Sequence, residues 1–244
     1  MNVQLIDYTG AGYPNDDHAI NILIFTKSTR LEMKPTLMMK IAAMPIDQKL
    51  AELDYMSKTI PSSWEFVDYT FLITGVTRAF THQFVRTRTA SYAQQTMRVL
   101  NVDGWTYGTG PTIENDVFLK TVYDTAMEKI GDAYKGLIKN GANIEDARGV
   151  LPTNIHTNIV AKMNMRTFVE MARKRASRRT QGEYRDVLDA MKMAVLRVHP
   201  WVSLFINRTS DVVIKQLEDE IDSNITDKAK KTAMFKLLDE LRKD

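Results

Sequence analysis

From Val67 to Thr74 the chain sets Val67, Tyr69, Phe71 and Ile73 alternately against Asp68, Thr70, Leu72 and Thr74. A repeat of two residues puts the first set on one buried face of a β-strand. Gly75 is expected to break that strand. From Thr77 the spacing turns helical, with Ala79, Phe80, Gln83 and Phe84 sharing a face. Further on, Val117 to Asn140 has helical spacing and closes on Asn140-Gly141, a fitting C-terminal cap. Thr157 to Met163 predicts a second, short strand. Asn164 to Ser177 and Tyr184 to Val198 predict helices, the latter with Tyr184, Val187, Leu188, Met191 and Val195 in register and Pro200 just beyond. Thr209 to Asp244 is a charge-rich helical stretch in one or two pieces. Between the halves, DGWTYGTGP from Asp103 to Pro111 predicts a long dividing loop. The pattern is helix-rich α+β, without βαβ alternation, a Gly-rich dinucleotide fingerprint or a phosphate loop.

The 244 residues, 44% of them apolar and 26% charged, suffice for one large domain over 1–244 with its own core. Cysteine is absent, which excludes disulfides, thiolate metal sites and a cysteine nucleophile, and suits a reducing cytoplasm. The opening MNVQLIDYTG lacks the basic and apolar regions of a secretory signal, and no apolar run matches a bilayer, so no membrane partner is expected. A net charge of +3 gives no ground for a nucleic-acid partner. The basic residues nevertheless cluster: Arg173, Lys174, Arg175, Arg178 and Arg179 follow Arg166 closely. No aromatic residues interleave them, so a nucleotide phosphate or solvent is the more economical partner. His82 and His156 lack metal-ligand spacing, and no metal is expected.

Two constellations ask for a ligand. Gln83 and Arg86 stand three apart where the first helix ends, and Arg88, Gln94, Gln95, Thr96 and Arg98 follow within a run of hydroxyls and amides. Guanidinium grips phosphate in bidentate fashion, and an amide offers one donor and one acceptor to a pyrimidine edge. Solvated arginines on a surface loop are the alternative. In the second constellation Phe168, Met171, Ala172 and Arg175 fall at i, i+3, i+4 and i+7, so Arg175 closes an apolar stripe. It cannot shed its proton and must meet a ligand or an acid such as Glu183. Arg166 and Glu170, four apart, are placed to pair on the helix surface.

Taken together these segments resemble the flavin-dependent thymidylate synthases. That family's signature is Arg-His-Arg, seven residues, then Ser; here Arg86-Thr87-Arg88, seven residues and Thr96 stand within HQFVRTRTASYAQQTMR. SSWEFVDYTFLITGVTRAFTHQ resembles the strand and helix before the signature. EDARGVLP resembles the family's Asp-Ala-Arg turn, and MNMRTFVEMARKRASRRTQGEYR its last two motifs. The likeness covers roughly Ile60 to Pro200. It implies a helix-rich α+β domain around a central, mostly antiparallel sheet, and a homotetramer with active sites shared between subunits.

It further implies a deoxyuridylate (dUMP) site from Gln83, Phe84, Val85, Arg86, Gln94, Gln95, Thr96, Met97, Arg98, Arg148 and Arg175. Arg175 would be the catalytic arginine that favours ionisation of the uracil N3. FAD would be held by Ser62, Arg86, Thr87, Arg88, Gln94, Asn164, Met165, Arg166 and Glu170. NADPH and methylenetetrahydrofolate would be co-substrates, the product thymidylate, and no enzymic thiolate would be needed. The chain departs from the family pattern at Thr87 (usually His), Thr96 (Ser), Phe66 (His), Glu170 (His or Asn), Thr180 (Ala) and Gly182 (Trp). Thr96 keeps the hydroxyl. Thr87 and Phe66 each remove an imidazole from the flavin's surroundings, and Glu170 adds an anion there. These changes bear on flavin affinity, NADPH use and product, and two alternatives follow: a 5-hydroxymethyl pyrimidine nucleotide as product, or a nucleotide-binding homologue without catalysis.

Overall fold

The computed structural model describes residues 1–13, 17–59, 61–97, 106–174, 182–206 and 209–241. In chain order its elements are β1 (Asn2–Tyr8), α1 (His18–Lys27), α2 (Pro35–Ala42), α3 (Ile46–Ser57), β2 (Asp68–Thr77), α4 (Arg78–Phe84), β3 (Ser91–Gln94) and α5 (Pro111–Glu114). There follow α6 (Val117–Lys139), α7 (Ile144–Ala147), β4 (His156–Asn164), α8 (Met165–Lys174), α9 (Gly182–Val198), α10 (Ser203–Ile206), α11 (Thr209–Asn224) and α12 (Lys228–Leu241). The strands form a four-stranded antiparallel sheet in the order β1-β2-β4-β3, as the α+β expectation requires.

The chain divides into two compact units, each assembled from non-contiguous segments. The first comprises Met1–Asp7, Thr70–Met163 and Gln181–Met191. In it Phe71 and Ile73 of β2 are fully buried, the inward face predicted by the alternation. Gly75 does not end the strand, contrary to expectation. It takes φ +65° while β2 runs on to Thr77. A left-handed residue inside a strand shifts the alternation by one, so the buried positions pass from odd numbers to Val76. The amide of Gly75 donates to Oδ1 of Asn158 at 3.0 Å.

Strand then becomes helix at Thr77. Its Oγ1 accepts from the amide of Phe80 and caps α4. Its amide donates to Oε1 of Glu183 at 2.7 Å and its hydroxyl donates to Oε2 of the same carboxylate. Phe80 and Phe84 stack at 5.0 Å on the buried face of α4, and the Tyr184 ring meets both edge-on. Helix α6 starts where Asp116 accepts from the amides of Phe118 and Leu119, and ends at Asn140 as its spacing predicts. The predicted loop does not divide the units. Residues 103–105 lie outside the described ones, but Tyr107 bridges Ile155, Pro111 opens α5, and the described part of the loop stays within the first unit. The units exchange chain at strand ends instead, because β1, β2 and β4 each finish or begin in the other unit.

The second unit comprises Tyr8–Tyr69, Asn164–Thr180 and Lys192–Asp244. Leu23, Leu53, Trp64, Phe168, Val169, Val202 and Phe205 are buried in it. Lys49 is also buried and is satisfied by Asp17 at 2.9 Å and the carbonyl of Ala42 at 3.1 Å. His199 is enclosed by aromatic rings and shares a 3.0 Å hydrogen bond with the Tyr69 hydroxyl. Burial pushes that phenol well above its usual range. The charge-rich C-terminal stretch forms two helices around a small cluster of its own, Ile214, Ile221 and Leu238.

Thr77→Val keeps the shape of the strand–helix junction but strips the cap from Phe80 and one donor from Glu183. Urea unfolding is expected to show a loss of about 2 kcal/mol. Thr125→Val, on the exposed face of α6, is expected to stay within about 0.5 kcal/mol.

Candidate functional site

The polar run that carries most of the nucleotide candidates becomes β3, the outermost strand of the sheet, antiparallel to β4. Ser91 faces Lys162, Tyr92 faces Ala161, Ala93 faces Val160 and Gln94 faces Ile159. Tyr92 anchors it. Its ring meets Phe84 edge-on at 5.3 Å, and its hydroxyl donates to the carbonyls of Phe84 and Thr87, both at 3.0 Å. Burial pushes this phenol up to about 12, so it stays a donor. The two bonds fix the turn on which Arg86, Thr87 and Arg88 leave α4, with both arginines exposed.

The amides are held equally firmly. Gln94 donates from Nε2 to Oγ1 of Thr81 at 3.0 Å. The Gln95 side chain accepts from Nδ2 of Asn158 at 2.8 Å, its amide donates to the Asn158 carbonyl at 2.9 Å, and its carbonyl accepts from Nη2 of Arg78 at 3.1 Å. Asn158 also holds Gly75, so the glycine, the asparagine, Gln95 and Arg78 form one relay. Gln83 and Met97 are half-buried, while Val85 and Thr96 are exposed. Phe84 belongs to the core: its side chain is wholly buried, and its carbonyl accepts from the Tyr92 hydroxyl and the Thr87 amide, so the structure does not offer it to a ligand as the resemblance implied. Arg148, beyond α7, donates from Nε to the carbonyl of Glu145 at 3.1 Å and lies 3.6 Å from that carboxylate. Arg98 and Arg175 lie outside the described residues.

Arg78 was not among the sequence candidates. Its Nε is buried and makes no hydrogen bond, and burial, with the Arg148 charge, pushes its guanidinium below the usual range. A cation destabilised by burial and by a second cation is suited to receive an anion. The signal that could have found it is its place at the first position of a helix whose other turn carries Gln83.

The flavin candidates from Ser62 and from Asn164 onward lie in the second unit. Ser62 and Phe66 are exposed on the turn Pro61–Phe66, Phe66 to 58%. Asn164 accepts from the amide of Thr167 at 2.9 Å and so caps α8. Met165 is wholly buried, and its amide donates to the carbonyl of Val67 at 2.7 Å. Arg166 pairs with Glu170 at 3.0 Å, as its spacing predicts, and also with Glu65 at 2.6 Å. These carboxylates, Glu170 first, hold the guanidinium above its usual range. Lys174 stands 3.6 Å from Glu170 on the other side, so the anion introduced there is neutralised by two cations. Phe168, Met171 and Ala172 form the predicted buried stripe leading to Arg175. Glu183, the acid considered for Arg175, gives its carboxylate to Thr77.

His82 is exposed. His156 is half-buried at the start of β4, where its Nδ1 shares a 2.9 Å hydrogen bond with Oγ1 of Thr106. Gly108 packs close by: a Cβ there would lie 2.7 Å from Cγ2 of Thr77 and 3.3 Å from Nε2 of His156.

An α+β chain whose edge strand presents fixed amides beside several guanidiniums has the equipment of a nucleotide-handling protein. Comparison with known proteins narrows the class. Residues 23–201 match the family described as thymidylate synthase complementing protein. The flavin-dependent thymidylate synthase of Clostridium tetani is 31% identical over 218 residues, covering 82% of this chain and 84% of that one. The enzyme of the same name from Nitratidesulfovibrio vulgaris is 39% identical over 136 residues, 52% of this chain and 55% of its own. That of Geobacter sulfurreducens is 35% identical over 149 residues, 60% and 64% of the two chains. The chain belongs to the flavin-dependent thymidylate synthase family.

Burial lowers the His156 pKa from its ordinary 6.5, with the Glu183 charge opposing. The unfolded chain therefore takes up this proton first as pH falls, and stability is full above about 6.5 and declines below it. Thermal unfolding between pH 5 and 7 should show this slope reduced in His156→Asn.

Proposed function

We propose that the chain transfers a one-carbon unit from methylenetetrahydrofolate to C5 of deoxyuridylate and completes it to the methyl group of thymidylate. FAD, reduced by NADPH, would supply the hydride when bound. The carrying observation is the edge strand β3, where Gln94 and Gln95 are held by Thr81, Asn158 and Arg78 before any ligand arrives. Preorganised donors and acceptors spend no binding energy on ordering themselves.

In this reading Gln83, Val85, Arg86, the stretch Gln94 to Arg98, and Arg148 take the nucleotide, and Phe84 packs beneath them in the core. Arg78, whose buried Nε makes no hydrogen bond and whose guanidinium lies in the field of Arg148, adds positive charge next to Gln95, which supports an anionic ligand such as a nucleotide phosphate at this strand. Arg175 holds a permanent positive charge at the uracil, favours loss of the N3 proton and so enriches C5. With no cysteine in the chain, a thiolate adduct is excluded, and this route to a nucleophilic C5 needs none.

The residues assigned to the flavin fit it as well. Ser62 is exposed, Arg166 commits Nε and Nη1 to carboxylates while Nη2 takes no part in those bonds, and Arg86 to Arg88 sit on a fixed turn. Arg166, Asn164 through its backbone, and Thr87 would orient the isoalloxazine edge and its phosphates. We assign one domain over 1–244, a homotetramer in which the two residue sets meet across subunits, and a place in the cytoplasm. Among the described residues no helix is long and apolar enough to cross a membrane.

Incubation with deoxyuridylate, methylenetetrahydrofolate, FAD and NADPH should give a product with the mass of thymidylate. A hydroxymethyl nucleotide, or a protein that stays colourless with FAD, overturns the reading. Arg175→Ala should lower turnover by about a hundredfold or more while the flavin absorbance of the purified protein is retained. Turnover within about threefold of wild type would remove the arginine from the mechanism.

A further inference from the structure

A side-chain amide can sit either way round, and the bonds of its neighbours decide which end faces out. Beside β3 those bonds leave no choice. The backbone N–H of Gly75 can only donate, so the side-chain atom of Asn158 that meets it at 3.0 Å is Oδ1. The other end of that amide, Nδ2, donates to Gln95, whose Oε1 accepts it at 2.8 Å. Gln95 is left with Nε2, a donor that no other bond claims among the described residues. The backbone repeats the hold, since the amide of Gln95 donates to the carbonyl of Asn158 at 2.9 Å. Gln94 is fixed in the opposite sense. The Thr81 hydroxyl spends its proton on the carbonyl of Arg78 at 3.1 Å, so its Oγ1 can only accept from Nε2 of Gln94. Gln94 is left with its oxygen, an acceptor.

The two amides serve different parts of a ligand, because their partners lie on different elements, Thr81 on α4 and Asn158 on β4. Gln95 is the one tied to the cations. Its carbonyl takes Nη2 of Arg78 at 3.1 Å, and the buried Nε of that arginine has no partner. The charge of Arg148 falls on the same guanidinium. A fixed N–H donor beside two guanidiniums suits an oxyanion. Turned the other way, the same amide would set a carbonyl oxygen against that anion. We propose that Asn158 is a positioning residue for the nucleotide: by taking the Gly75 N–H it keeps Nε2 of Gln95 outward, as a donor to the phosphate of deoxyuridylate, a role that rests on the reaction proposed for this chain. Asn158 touches no ligand in this arrangement and acts only through Gln95.

The test is the affinity of the full chain for deoxyuridylate, and for deoxyuridine, which lacks the phosphate, by titration calorimetry in a cycle of Gln95→Met and Asn158→Asp. Gln95→Met keeps the length of the side chain and removes the donor. Asn158→Asp still accepts from Gly75 but meets Gln95 with an oxygen, so the Gln95 amide turns and shows Oε1 outward. The charge added by Asn158→Asp is present with and without Gln95→Met and cancels between them. With Asn158 in place, Gln95→Met should weaken deoxyuridylate binding about tenfold and deoxyuridine binding by less than about twofold. Beside Asn158→Asp, Gln95→Met should cost less than about twofold or tighten binding. An equal loss in both backgrounds, or no loss with Asn158 in place, overturns the proposal, as does the same loss with deoxyuridine. Should circular dichroism show Asn158→Asp unfolded, Asn158→Ala decides: beside it the amide turns freely, and Gln95→Met should cost about threefold rather than about tenfold. An undiminished cost there overturns the proposal. Wild type that binds no deoxyuridylate overturns the reaction and this proposal together, whereas a failed cycle with the nucleotide bound overturns this proposal alone.

Discussion

The first unit depends on the Glu183 carboxylate. It accepts from both the amide and the hydroxyl of Thr77, at the residue where β2 becomes α4. Hydrogen bonds to an ionised acceptor are each worth about 1.5–3 kcal/mol, and here they join three elements: the end of β2, the start of α4 and the start of α9. Thr77 in turn caps Phe80, and Phe80 with Phe84 sets the face on which Tyr184 and Tyr92 pack. Tyr92 then ties the Arg86 turn to β3. The positions of Gln94 and Gln95 are downstream of one carboxylate that touches neither of them.

The apolar periodicities explain why much of this was legible in the sequence. Phe71 and Ile73 announce β2, and Tyr184, Val187, Leu188, Met191 and Val195 announce α9, because each set is buried on one side and the buried side repeats at a fixed interval. Strand β3 escaped for the opposite reason. An edge strand needs a partner on one side only, and Ser91 to Gln94 satisfies its backbone against β4 with no apolar face to advertise it. Gly75 was misjudged because glycine ends strands and also bends them, and only the neighbour that receives its amide, Asn158, distinguishes the two. Helices α1 to α3 went unpredicted; α1 is apolar nearly all round, so its periodicity is weak. Among site residues, Arg166 with Glu170 followed from spacing. Arg78 did not, since what marks it is an unbonded buried nitrogen and the field of Arg148 some seventy positions away, both tertiary facts.

The departures from the family signature have a physical shape as well. Glu170 would be costly as a lone anion beside a flavin phosphate. Arg166 and Lys174 flank it, and Glu65 joins from the turn before β2. The net effect is a salt-linked patch with acids and bases in near balance, on a half-exposed surface where each pair alone contributes little stability. Its consequence is orientation: two carboxylates, Glu170 on Nε and Glu65 on Nη1, direct the Arg166 guanidinium. Phe66, exposed where an imidazole is usual, adds a flat apolar surface next to that patch.

A cysteine-free chain of this family has no thiolate to add to a pyrimidine ring, and fixed charge and fixed dipoles are a way of activating the ring that needs none. Fixed charge acts strongly only where water is kept out and the groups do not reorganise. The first unit meets the second condition through its relay from Gly75 to Arg78, every member of which is bonded to the next. On α8, Phe168, Met171 and Ala172 are buried, a dry stripe of the kind the first condition asks for. The relay and the stripe belong to different units, each built from interleaved segments of one chain. In sequence, β4 ends at Asn164 and α8 follows at Met165.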